Sequence, residues 1–235
     1  MVEISNLLGR LTMLGDREMA IIATHTGLQI SLPRERLVRE IGEMAMREES
    51  PLTWFVRLLV KTLPDKTVKK LLGYEESREK LLEKLAARVG RGMKAYRDVS
   101  VDMLRADIIL YSSEIGSYGS LVPAPEIKHS ITVVTCVKEP VEVEDRIGRA
   151  MRFEGYVDRI YLGANTYAVL VHLAQRRVEW LEFMEHLNSM DIGLVRLDRG
   201  GETVVDRQAG VRGFDPERYM RLLDVLTSSK PFKRL

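Results

Sequence analysis

Asp107 opens the apolar run ADIILY, and Lys138 closes the run ITVVTCVK. A carboxylate and an ammonium group brought together at strand ends can do phosphoryl chemistry. The carboxylate holds a Mg2+-type cation, which prefers carboxylate and water oxygens. The cation activates a water molecule, and the lysine orients that water or stabilises charge in the transition state. One carboxylate alone binds such a cation weakly, so a further acid near the lysine would strengthen the site. Side chains alternate along a strand, so the residue two positions before Lys138 shares its face. That residue is Cys136. A thiol is a soft ligand and a poor substitute for a carboxylate on Mg2+, which leaves Asp107 as a lone and weak metal ligand. On its own, Cys136 in an apolar strand reads first as a small buried hydrophobe.

Two other sources of the missing acid stand nearby. Glu126-Ile127-Lys128 is a literal acid-x-Lys, but its strand would contain Pro123 and Pro125, and proline is excluded from central ladders. Glu139, Glu142 and Glu144 follow Lys138. Glu139 is expected on the opposite face, and Glu142 and Glu144 at the start of a helix. The histidines offer no alternative chemistry, because His129, His172 and His186 have neither zinc spacing nor a marked relation to the cysteine. The segment RGGE at 199–202 reads as a hairpin turn and lacks the features of a phosphate loop.

The elements that must position these residues can be read from periodicity and punctuation. Residues 1–74 read as a mainly helical module. Pro33 starts an amphipathic helix with Leu37, Ile41 and Met44 on one face, and Pro51 starts another that Pro64 closes. Around Gly27, the alternation of Leu28, Ile30 and Leu32 suggests a small hairpin. Residues 75–206 read as an α/β core. A helix with Leu81, Leu82, Leu85 and Val89 on one face ends at Gly90, three strands follow at 93–101, 105–114 and 129–138, and then come a helix, a strand, a long helical stretch, and a last strand with its hairpin partner. Short connections predict that the first three strands form an antiparallel meander. The later strands, which alternate with helices, should join in parallel. In the meander, the turn falls near SLVPAP and brings Asp107 beside Cys136 and Lys138. Residues 207–235 read as a C-terminal helical extension that starts at Asp215-Pro216.

Composition narrows the class without naming it. The 235 residues are 45% hydrophobic and 30% charged, with 36 basic and 34 acidic side chains and a net charge of +2. This balance neither demands nor excludes a nucleic-acid partner, since a basic face can exist within it. One cysteine forms no internal disulfide, which points to a reducing, cytoplasmic setting. The start of the sequence does not look like a signal peptide, and no apolar run is long enough to cross a membrane. High charge of both signs is also compatible with a thermophilic source.

This order of elements and these residues resemble the PD-(D/E)XK, or restriction-endonuclease-like, superfamily. Its core is a helix, a three-strand antiparallel meander, a crossover helix and a further strand. The resemblance covers roughly residues 75 to 206 and implies that RADIILY supplies the catalytic Asp107 and TCVK supplies Lys138, with Cys136 at the acid position. It further implies that Glu76, Glu79 or Glu83 on the first helix can join the site, and that Arg149 stands where members often carry glutamine. The expected function is nucleic-acid binding, DNA more than RNA, with an incomplete metal site. The alternatives are an active Mg2+- or Mn2+-dependent nuclease whose acid comes from elsewhere, such as Glu126 or Glu142, and a non-catalytic structural subunit. A homodimer or a protein partner engaged through the N-terminal module also fits.

Overall fold

The computed structural model describes residues 4–73, 77–115 and 127–235. Five helices lead the chain: α1 (Ile4–Gly9), α2 (Asp16–Thr26), α3 (Arg34–Met46), α4 (Pro51–Thr62) and α5 (Asp65–Leu72). Then come α6 (Arg78–Val89), β1 (Lys94–Val101), β2 (Leu104–Ile115) and β3 (Ile127–Val137). A short 3-10 turn (Pro140–Glu142) leads into α7 (Val143–Met151), β4 (Arg159–Asn165), α8 (Thr166–Arg176) and α9 (Trp180–Ser189). The chain ends with β5 (Ile192–Leu197), β6 (Thr203–Arg207), α10 (Pro216–Ser228) and β7 (Lys233–Arg234).

The protein is an α/β fold built on one seven-stranded mixed sheet, in the order β6-β5-β4-β3-β2-β1-β7. β1, β2 and β3 form the antiparallel meander, and β4 and β5 join in parallel. β5 and β6 close as a hairpin. β4 and β5 carry almost unbroken buried runs, the pattern of strands covered on both faces. Local chemistry sets many of the helix boundaries. Ser77, Asn165 and Asp215 cap α6, α8 and α10 through their side chains, satisfying N–H groups that the first turn leaves open.

Two helix-bearing faces enclose the sheet. Among the described residues, one face is covered chiefly by α6, which forms a small apolar cluster with Ile108, Leu110, Val134 and Cys136, and Ala209 and Leu235 pack against it. Gly163 on β4 makes that close approach possible, because a Cβ there would lie 2.8 Å from a methyl of Leu85. The other face carries α7, α8, α9 and α10, and the N-terminal helices pack beyond them, so that residues from Leu7 to Leu226 share one core. α4 lies against α8, and Thr53 reaches the Val178 carbonyl.

Two sequence expectations are corrected. No hairpin forms around Gly27. α2 continues to Thr26, and Gly27, at φ 74, ends it in the left-handed region that glycine tolerates. Leu28 and Leu32 then pack against the core from a loop. The C-terminus is not only helical, because β7 adds to the edge at β1. The SLVPAP turn expected between β2 and β3 lies outside the described residues.

Candidate functional site

β2 and β3 pair from Ile115 with Ile127 down to Ile108 with Val134, and there the ladder stops. Continuing that register sets Asp107 level with Thr135, so Lys138 lies three residues beyond it. Side-chain alternation breaks at the same level. Ala106 belongs to the larger core, while Ile108 and Leu110 belong to the cluster under α6. β1 breaks in step, with Ala95 under α6 but Val99 and Val101 in the larger core. Asp98, at φ 50, sits at the reversal, a conformation that aspartate adopts more readily than most residues. The double reversal turns Asp107 toward α6, whereas regular alternation would keep it with Ile109 and Tyr111 on the opposite face.

Asp107 takes over where the ladder ends. Its Oδ2 accepts the Cys136 N–H at 2.8 Å. Arg78, the first residue of α6, donates to Oδ1 at 3.0 Å. Arg146 on α7 donates to Oδ1 and Oδ2 at 3.3 and 3.1 Å. Glu142 meets the same two guanidinium groups. Its Oε1 accepts from Arg78 and from Arg146, each at 3.5 Å. Its Oε2 accepts the N–H groups of Lys138 and Glu139 at 2.8 and 3.0 Å. Two carboxylates and two guanidiniums thus form a closed quartet.

Burial opposes the charge on Glu142, yet the two backbone N–H donors and the two arginines outweigh it and hold this carboxyl below its ordinary range. A carboxyl depressed on folding adds stability above its unfolded pKa and loses it as pH falls through the folded value. Urea midpoints should therefore drop from about pH 4.3 downward. Glu142→Gln should be less stable than the native chain at neutral pH, with the gap closing in acid. A gap constant with pH would contradict the charged quartet.

The residues present do not fit a divalent metal. Both oxygens of Asp107 and of Glu142 are engaged by donors, and two positive groups stand where the cation would sit. Cys136 offers no ligand, because its side chain is fully buried and burial pushes its thiol up to about 12, away from the thiolate that binds metal or attacks substrate. Among the described residues, no group of three or more His, Cys, Asp or Glu side chains is arranged to hold a metal ion.

A cleft of about 380 Å3 opens beside the quartet. Arg78, Arg97, Arg105, Arg146 and Arg149 line it, with Glu79, Asp98 and Asp107. Arg97 is held by Glu83 at 2.8 Å and lies over the Phe232 ring. Arg105 pairs with Asp98 and Arg149 with Asp145, and both pairs are more than half exposed. Such surface pairs are worth roughly 0–1 kcal/mol, so an incoming anion displaces their carboxylates at little cost.

Of the residues singled out from the sequence, Asp107, Glu79 and Arg149 line the cleft, Glu142 joins the quartet, and Glu83 braces Arg97. Lys138 is not among the lining residues, and its charge acts on Glu79 at the rim. Glu139 pairs with Lys69 of α5, and Glu144 with His172. Glu76 and Glu126 lie outside the described residues. Arg78, Arg97 and Arg146 escaped the sequence reading, and Arg105, which the sequence offers as a plain partner for Asp107, pairs with Asp98 instead. Only Arg146 left a local signal there, its spacing of four from Glu142 on one helical face.

No protein-family model matches this sequence, and no curated protein is recognisably similar. Among solved structures, a protein of unknown function from Silicibacter pomeroyi, SPO1766, is similar at 15% identity and a TM-score of 0.40, over 66% of this chain and 86% of that one.

Proposed function

We propose that this chain is a restriction-endonuclease-like protein that binds nucleic acid, DNA before RNA, through the arginine cleft without hydrolysing it. The order α6, antiparallel β1-β2-β3, α7, and β4 parallel to β3 is the order that the sequence resemblance implies. The observation that carries the reading is the quartet, in which Arg78 and Arg146 occupy both carboxylates that a metal would need. The five cleft arginines exceed its three acids, and guanidinium groups suit phosphate oxygens in geometry and charge.

Anisotropy titrations with a labelled DNA duplex test this. Binding should weaken steeply with salt, and Arg105→Ala with Arg149→Ala should lower the slope of log affinity against log salt by about 1 per lost phosphate contact. No cleavage is expected with Mg2+ or Mn2+. The convergence of Asp107 and Glu142 favours one rival, an active nuclease with Glu142 as the relocated acid. That rival requires both arginines to leave the carboxylates, and cleavage abolished by Asp107→Ala would establish it. Absence of DNA binding at low salt would point instead to a structural subunit.

A further inference from the structure

A second cationic surface lies on the N-terminal helices, and it differs from the arginine cleft in one respect. Two adjoining hollows, of about 460 and 270 Å3, run between α2, α3 and α4 and share His25 and Lys61. Arg17, His25, Arg57 and Lys61 line them, and no carboxylate does. Among the described residues, none of these four side chains makes an ion pair, whereas every arginine of the cleft has an acid beside it. Ile21, Met44, Trp54 and Leu58 provide apolar surface in the same groove, and Ile21 is 40% exposed. Cations around apolar surface match a helix that carries acids beside an apolar anchor. They match bare phosphate backbone less well, since Trp54 is half-buried and offers no free ring for a base.

This chain carries such a helix next to the groove. Beyond Trp54 and Arg57, a neighbouring hollow of mixed charge continues past Arg47, Glu48 and Glu49 to Arg177 and Glu179, where α9 begins, so the acid-free stretch of the groove is the one around Arg17, His25 and Lys61. The outer side of α9 shows Glu182 and Glu185, both exposed, beside Leu181 at 68% exposure. An exposed leucine beside two glutamates, near a cationic groove, makes a patch that complements itself. A two-fold axis places each copy's helix against the other's groove.

We infer that the chain forms a two-fold dimer in which α9 of each copy seats Leu181 in the α2–α4 groove of the other, with Glu182 and Glu185 facing Arg57 and Lys61. The proposal does not depend on what the arginine cleft binds.

Sedimentation of the full chain at micromolar concentration gives the test. The native chain should show twice the monomer mass at low salt and dissociate as salt rises. Arg57→Glu with Lys61→Glu should be monomeric, and so should Glu182→Lys with Glu185→Lys, each with a dissociation constant raised at least ~100-fold by like-charge contact. The 1:1 mixture of the two variants should recover the dimer. One of its contacts is then native and the other is reversed on both sides, while each variant alone keeps two repulsive contacts. All these side chains are at or near the surface, so a native circular-dichroism spectrum and a single cooperative unfolding transition in both variants exclude misfolding as the cause, while their midpoints should fall below that of the native dimer. A native chain that stays monomeric at every concentration overturns the proposal. So does a dimer indifferent to both charge reversals, or two monomeric variants that fail to pair. If the groove reversal instead abolishes DNA binding by a monomeric chain, the groove belongs to a nucleic-acid surface and the dimer assignment fails.

Discussion

Arg146→Ala is expected to destabilise the protein by about 2–4 kcal/mol, a large effect for one substitution. The Arg146 and Asp107 side chains are each 14% exposed, and Glu142 is 24% exposed. Removing one guanidinium leaves two carboxylates with Arg78 alone, so an unpaired negative charge remains in a poorly solvated place. Breaking a buried pair from one side costs about 3–5 kcal/mol. The lower range is chosen because Arg78 stays and water can enter from the cleft. For a chain of this size, a loss of that order lowers the melting temperature by roughly 5–15 °C. Much of the cost is the penalty of the stranded carboxylate, so Asp107→Asn should relieve it. The amide keeps an oxygen for the Cys136 N–H while dropping the charge. The double variant Arg146→Ala with Asp107→Asn should therefore be more stable than the two single losses added together, by at least ~1 kcal/mol. Strict additivity in chemical unfolding would mean that the quartet is not an electrostatic unit.

The sequence is legible where physics is local and falls short where two distant elements meet. Helix starts at Pro51 and Asp215 follow from capping and proline geometry. The meander followed by parallel strands follows from short connections giving way to helical ones. The break of α8 from α9 at Arg177, held at φ 58, stays open in a stretch that reads as helical throughout. The site is harder. Asp107 is visible as a charge at the mouth of an apolar run, but a strict period of two gives it the wrong face, because the reversal at Asp98 and Asp107 depends on both strands at once. Arg78 and Arg146 sit 68 positions apart on helices that cover opposite faces of the sheet. Each reads as an ordinary exposed helical arginine until the end of the sheet brings them to one carboxylate. Opposite charges at a strand end therefore give too little information to distinguish a metal site from a cluster of carboxylates and guanidiniums.

That distinction leads to the other large effect. Cys136→Asp creates a literal acid-x-Lys pattern with Lys138, and a simple reading of the motif expects a gain of metal-dependent cleavage. The structure leads to the opposite expectation, a loss of about 3–5 kcal/mol in stability and no cleavage. Cys136 has no exposed surface and lies among Leu81, Leu85, Ile108 and Val134. The close packing of α6 over Gly163, its β4 neighbour, leaves little room for water to follow a charge inward. The thiol already registers this environment. Burial raises its pKa to about 12 although Arg78 and Arg146 pull the other way. A carboxylate placed there meets the same burial, so it either stays protonated, and cannot hold Mg2+, or ionises at the expense of the core. Cys136→Ala serves as the control for lost packing alone and should cost only about 1–2 kcal/mol. Unfolding curves for the two variants, read beside a nuclease assay in Mg2+, decide the matter. A Cys136→Asp protein as stable as the native chain, cutting DNA in a manner that Asp107→Ala abolishes, would show that the strand end opens to solvent and that the two arginines of the quartet yield to a metal.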